Sequence, residues 1–259
     1  LFVMGLGWGL AGAAAATLVA ETLTALAGLI GLRRLGWRFD APFVAIFERA
    51  GFAAMLAMNR DIMIRTAALL LAFATFTASG ARMGEITLAA NAVLMTLFTL
   101  IAYGLDGFAT AAEQMAGQSV GARDEEGFRA GLRVAGVFCV GLGALGALAA
   151  YVGGGALIDV MTTDSATRAA AKENLFLAAL TPLVGAPAFL FDGVFIGATW
   201  TRDMRTLMLA ALAIFLVALV ALKGFGAPGL WIALLIFLAA RGALQAWRYP
   251  ALTRATFGR

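Results

Sequence analysis

The sequence holds 259 residues, 62% of them hydrophobic and 13% charged, with a mean hydropathy of +0.92. A water-soluble domain carries roughly 45–50% apolar and about 25% charged residues, so that class is excluded and an integral membrane protein is indicated. There is no histidine and a single cysteine, Cys139. This excludes an internal disulfide framework and leaves little for a histidine- or thiol-based metal site. The net charge of +4 needs no nucleic-acid partner, because basic residues gather in the cytoplasmic loops of membrane proteins.

Taken in order, the chain reads as an all-α polytopic membrane protein with about seven spans of the length a bilayer requires. The opening LFVMGLGWGL has neither a charged n-region nor a cleavage site, and reads as part of a longer protein. Gly12 to Leu32 is the first span, closed by Arg33 and Arg34. Trp37 to Asn59 mixes Asp40, Pro42, Glu48 and Arg49 with Phe and Met, and is expected to lie in the interface as an amphipathic helix. The next spans are Ile62 to Gly80, Ile86 to Gln118, Leu132 to Ile158, Asn174 to Thr199, Met204 to Leu222 and Gly229 to Trp247. The domain plan that follows is a span at 1–32, a cytoplasmic linker at 33–59, a six-helix body at 60–248 and a cytoplasmic tail at 249–259.

The basic residues orient this plan. If the loop after the first span is cytoplasmic, thirteen of the 19 Lys and Arg residues fall on the inner side. Arg82, Arg168, Lys172 and Lys223 fall outside, and Arg65 and Arg241 lie within spans. The bias obeys the positive-inside rule and places the C-terminus in the cytosol.

Acids set inside apolar spans are the candidate functional residues. A carboxylate within a bilayer is costly and faces a protein interior or a watery cavity. Tyr103, Asp106, Thr110 and Glu113 recur at helical spacing and form one polar stripe on the third span. Asp192 lies on the fifth span, ten residues before Arg202, as Glu113 lies ten before Arg123. Asp192 and Glu113 are thus expected at similar depth, with Asp106 about 10 Å further out at ~1.5 Å rise per residue. Asn91, at the start of the third span, is a further cavity candidate able to hydrogen-bond between helices. A buried acid without a fixed partner can exchange protons, and acids grouped with hydroxyls can hold a hard cation such as Na+ at Asp106 and Asp192. The alternative is a structural ion pair with Arg65 or Arg241, or snorkelling, which is the expected state of Arg65.

Four stretches carry a resemblance: AMNRDIMIRTAALLLAF, LAANAVL, AYGLDGFATAAE and FDGVFIGATWTRDMR. With GLGWGLAGAAAAT near the start, they make the sequence similar to the multidrug and toxic compound extrusion (MATE) family, in its DinF-type branch. The resemblance implies two six-helix lobes around a central cavity. Six helices here would form the second lobe, and the N-terminal half would lie outside this sequence. It further implies a secondary transporter of a bacterial inner membrane, exporting cationic or amphipathic small molecules by antiport with Na+ or H+, with no other cofactor. A lipid or glycolipid flippase of the same superfamily is the alternative, and would be expected to show a cationic cavity. An enzyme is not expected: neither aspartate sits in an intramembrane protease pattern, and without histidine no Ser-His pair can form.

Overall fold

The computed structural model describes residues 8–34, 36 and 48–258. Seven helices among them are long and apolar enough to cross a membrane. They are α1 (Gly9–Arg34), α2 (Arg49–Arg82), α3 (Glu85–Ala122), α4 (Glu125–Met161), α5 (Ser165–Gly197), α6 (Thr201–Ala221) and α7 (Gly226–Phe257), with a 3-10 turn, Lys223–Phe225, before α7. The described residues contain no strand.

The chain divides into two compact units, Leu1–Ala53 and Ala54–Arg259. In the first, α1 exposes Leu18, Leu23, Leu26 and Ile30, a surface suited to lipid rather than water. The second unit contains α3 to α7 and most of α2. The amphipathic helix expected over 37–59 falls partly outside the described residues. From Arg49 the chain is already in α2, which runs unbroken through Asn59 into the span. Residues 249–257, expected as a tail, continue α7 and bury Leu252 and Thr253. Hydropathy marks only the oily part of a helix, whereas backbone hydrogen bonding continues until a turn ends it.

Those turns are short and well terminated. Gly84 holds φ at +113° between α2 and α3, a conformation open to glycine and strained for other residues. Arg123 closes α3 in the left-handed region, and the Asp124 amide donates to the Ser119 carbonyl at 2.9 Å. Asp124 then caps α4, accepting from the Gly127 amide at 2.8 Å, and Asp164 caps α5 through the Thr167 amide at 2.8 Å. The hydroxyl and amide of Thr167 hold the Asp164 carboxyl below the usual carboxylate range. Exposed threonines within the helices, among them Thr75, Thr96 and Thr99, donate to the carbonyl four residues back. Their hydroxyls are thereby satisfied without water.

The second unit is organised on α5, which packs against α3, α4 and α7. Small residues allow this, since helices in lipid associate through close backbone approach. A Cβ on Gly193 would fall 2.0 Å from the Ala109 carbonyl oxygen, and one on Gly197 would fall 2.1 Å from that of Glu113. The pair is spaced by four residues and fixes the α3–α5 crossing. Pro182 lies inside α5 and cannot donate to Ala178. The Thr181 hydroxyl donates to that carbonyl instead, at 2.6 Å. Two apolar clusters fill the unit, one around Phe76, Leu94, Phe215 and Trp231, the other around Leu105, Phe128, Phe195 and Trp200.

Candidate functional site

Between these clusters, in the order of α7, stand Arg241 and Gln245, one helical turn apart and both buried. They reach the carboxylate of Asp192 on α5, itself only 6% exposed. Arg241 Nη2 donates to Oδ2 at 2.6 Å and Gln245 Nε2 donates to Oδ1 at 2.8 Å. From α2, Arg65 Nη2 also donates to Oδ2. The Arg241 guanidinium lies 5.9 Å from the ring centre of Phe189 and 5.6 Å from that of Phe237, close enough for cation–π attraction. One acid thus ties three helices together. Two guanidiniums against one carboxylate leave this hub with a surplus positive charge. Arg65 Nε, Arg241 Nε and Gln245 Oε1 are buried with no partner among the described residues.

Beside the hub opens a cleft of about 630 Å³. Its polar lining is Arg65, Thr99, Tyr103, Asp106, Thr110, Glu113, Asp192 and Arg241; Phe73, Phe98, Phe189 and Ile196 supply apolar wall. The stripe expected on the third span is therefore real as a surface, for its four members share one cleft. Their states differ. The Thr110 hydroxyl donates to the Asp106 carbonyl at 2.9 Å. The Asp106 and Glu113 carboxylates make no hydrogen bond or ion pair among the described residues. Asp106 lies within the electrostatic reach of Asp192, Arg65 and Arg241. Counted together, the lining sets three carboxylates against two guanidiniums.

Of the two readings open for Asp192, its partners are those of the ion pair: Arg65 and Arg241 share its Oδ2, and Gln245 donates to its Oδ1. Two expectations need correction. Arg65 does not snorkel outward but turns inward to Asp192. Asn91 is not part of the cleft lining; it is buried and accepts from the Trp231 indole at 2.9 Å, joining α3 to α7. Two residues escaped the sequence reading. Gln245 could have been found by its four-residue spacing from Arg241. Asp61 is buried at the start of the second span and accepts from Arg205 Nη1 at 2.5 Å, tying α2 to α6. Among the described residues no group of three or more acids, cysteines or histidines could hold a metal ion.

Long apolar helices around a charged cleft define a polytopic helical membrane protein with a polar site buried among its spans. The chain belongs to the MatE family, whose sequence model matches residues 62–222. Over 254 residues it is 41% identical to the DNA damage-inducible protein F of Escherichia coli K12, covering 95% of this chain and 54% of that protein. It is 29% identical over 260 residues to the chloroplastic Protein DETOXIFICATION 44 of Arabidopsis thaliana, covering 98% of this chain and 48% of that one. The chain thus spans about half the length of the curated relatives it matches. In fold it is similar to the Vibrio cholerae MATE transporter VcmN in its bent form, with a TM-score of 0.84, 20% identity, and coverage of 98% of this chain and 58% of that one. A superfamily transporter from Pyrococcus furiosus matches with a TM-score of 0.69 at 17% identity, over 76% of this chain and 44% of that one.

Proposed function

We propose that this chain forms the second lobe of an exporter that moves cationic or amphipathic compounds out of the cell in exchange for Na+ or H+. A further lobe, making up the rest of the relatives' length, completes the transporter. The membrane is a bacterial inner membrane, with the C-terminus on the cytosolic side as the distribution of arginines implies. Transport rather than catalysis is the activity.

The observation that carries this reading is the pair of unpaired carboxylates, Asp106 and Glu113, on a cleft whose two arginines are both paired with Asp192 and whose remaining wall is mainly aromatic and aliphatic. A greasy wall with a surplus of negative charge suits an amphipathic cation. A phosphate-bearing cargo would be better served by a cationic lining, so the flippase reading gains nothing here. The division of labour follows from the partners: Asp192 holds helices together, while Asp106 is free to exchange an ion.

In efflux of a cationic dye from vesicles containing the full-length protein, Asp106→Asn is expected to remove the part driven by an imposed Na+ or pH gradient. Losing one ion contact worth about 1.4 kcal/mol lowers affinity by about tenfold. Gradient-driven efflux that is unchanged in Asp106→Asn contradicts the assignment.

A further inference from the structure

A second groove lies away from the cleft, between the early turns of α4 and the last turns of α7. It has a volume of about 650 Å³ and is lined by Arg129, Arg133, Tyr249 and Arg254, with Leu132 and Pro250 beside them. No acid is among its lining residues. Arg129 is paired with Glu125 at 2.6 Å. Arg133 makes no hydrogen bond or ion pair among the described residues. Arg254 spends only its Nε, on the Pro250 carbonyl at 3.3 Å. The groove therefore presents the whole guanidinium of Arg133 and the two terminal nitrogens of Arg254, from two different helices. Tyr249, in the same lining, is held by stacking on Phe128, with ring centres 6.0 Å apart and planes at 8°.

The surface running up α4 from this groove is apolar. Val134, Val137 and Phe138 are all exposed, and Val137 follows Arg133 by one helical turn. A charged groove that passes directly into a lipid-facing apolar strip has the shape of an amphiphile. The groove on the other side of α7 makes the contrast: Arg202 and Arg248 line it together with Asp203, which accepts from Arg248 at 2.7 Å.

We propose that the groove between α4 and α7 binds the phosphate headgroup of an anionic phospholipid. The guanidiniums of Arg133 and Arg254 take the phosphate oxygens, and the acyl chains lie along Val134, Val137 and Phe138. Two guanidiniums favour a lipid with more than one phosphate, because arginine binds such oxygens in a forked geometry.

The test is native mass spectrometry of the full-length protein, titrated with cardiolipin, phosphatidylglycerol or phosphatidylcholine. Inorganic pyrophosphate serves as the water-soluble competitor. The expected result is preferential retention of cardiolipin, weakened on the order of tenfold or more in Arg133→Gln/Arg254→Gln. Arg202→Gln, which removes a charge from the other groove, is expected to leave retention unchanged. All these arginines are exposed, and an unaltered circular dichroism spectrum verifies that the variants fold. Equal retention by the double variant, an equal loss in Arg202→Gln, or no preference over phosphatidylcholine overturns the proposal. Ready displacement by pyrophosphate also overturns it, by identifying a soluble anion as the ligand.

Discussion

Asp192→Ala is expected to destabilise the six-helix unit by about 3–5 kcal/mol, the cost of breaking a buried ion pair from one side. The substitution strands Arg65 and Arg241, of which Arg241 is only 4% exposed, and removes the acceptor of Gln245. Nothing else among the described residues accepts from those guanidiniums, and their Nε atoms are already without partners. Asp192→Asn is expected to cost less, since the amide oxygen can still accept a hydrogen bond. The triple change Arg65→Met/Asp192→Leu/Arg241→Met is expected to recover much of the loss, because an apolar replacement avoids the penalty of desolvating charge. Unfolding of the full-length protein in mixed detergent, monitored by circular dichroism, measures all three. An Asp192→Ala protein as stable as the parent would mean that the hub does not hold α2, α5 and α7 together.

Gly193→Val and Gly197→Val are expected to have comparable consequences by a different route. At each position the added carbon meets a backbone carbonyl oxygen of α3, at 2.0 and 2.1 Å. A backbone atom cannot swing aside as a side chain can. The helices must separate, and overpacking of this kind typically costs about 1–3 kcal/mol. The separation also shifts Asp106 and Glu113 on α3 relative to Asp192 on α5, so transport is expected to fall further than stability. Gly107→Ala is the control on α3. Nothing lies within 4 Å of its added carbon, and alanine is favoured over glycine in a helix by about 1 kcal/mol. Efflux and unfolding measured side by side on the three variants test this. A harmless Gly193→Val would show that the two helices do not cross so closely.

The spans were legible because each carries its own signal. Roughly twenty apolar residues between charges is a local pattern, and all seven expected helices are present. The α3 stripe was legible for the same reason, since helical spacing alone puts Tyr103, Asp106, Thr110 and Glu113 on one face. What the sequence does not encode locally is which helix lies beside which. Arg65 and Arg241 are 127 and 49 residues from Asp192. The sequence offered either arginine as a partner for an in-span acid without saying which acid it would meet, and only the structure brings Arg65 of α2 and Arg241 of α7 together on Asp192. Asn91 failed for a related reason. A polar residue in a span has two ways of being satisfied, a cavity or another helix, and Trp231, 140 residues away, settles it. Likewise only the structure shows that Gly193 and Gly197 of α5 meet the stretch of α3 that carries the acids.

The most direct measurement is chemical. A protonated carboxyl group in apolar surroundings gives its proton to a nitrogen of dicyclohexylcarbodiimide and adds through oxygen to the central carbon; the O-acylisourea rearranges to a stable N-acylurea, which peptide mapping by mass spectrometry locates. In vesicles containing the full-length protein the adduct is expected on Asp106, suppressed when Na+ or a cationic substrate is added, with Asp192 unmodified behind its two arginines. An adduct on Asp192 with Asp106 untouched would contradict the account.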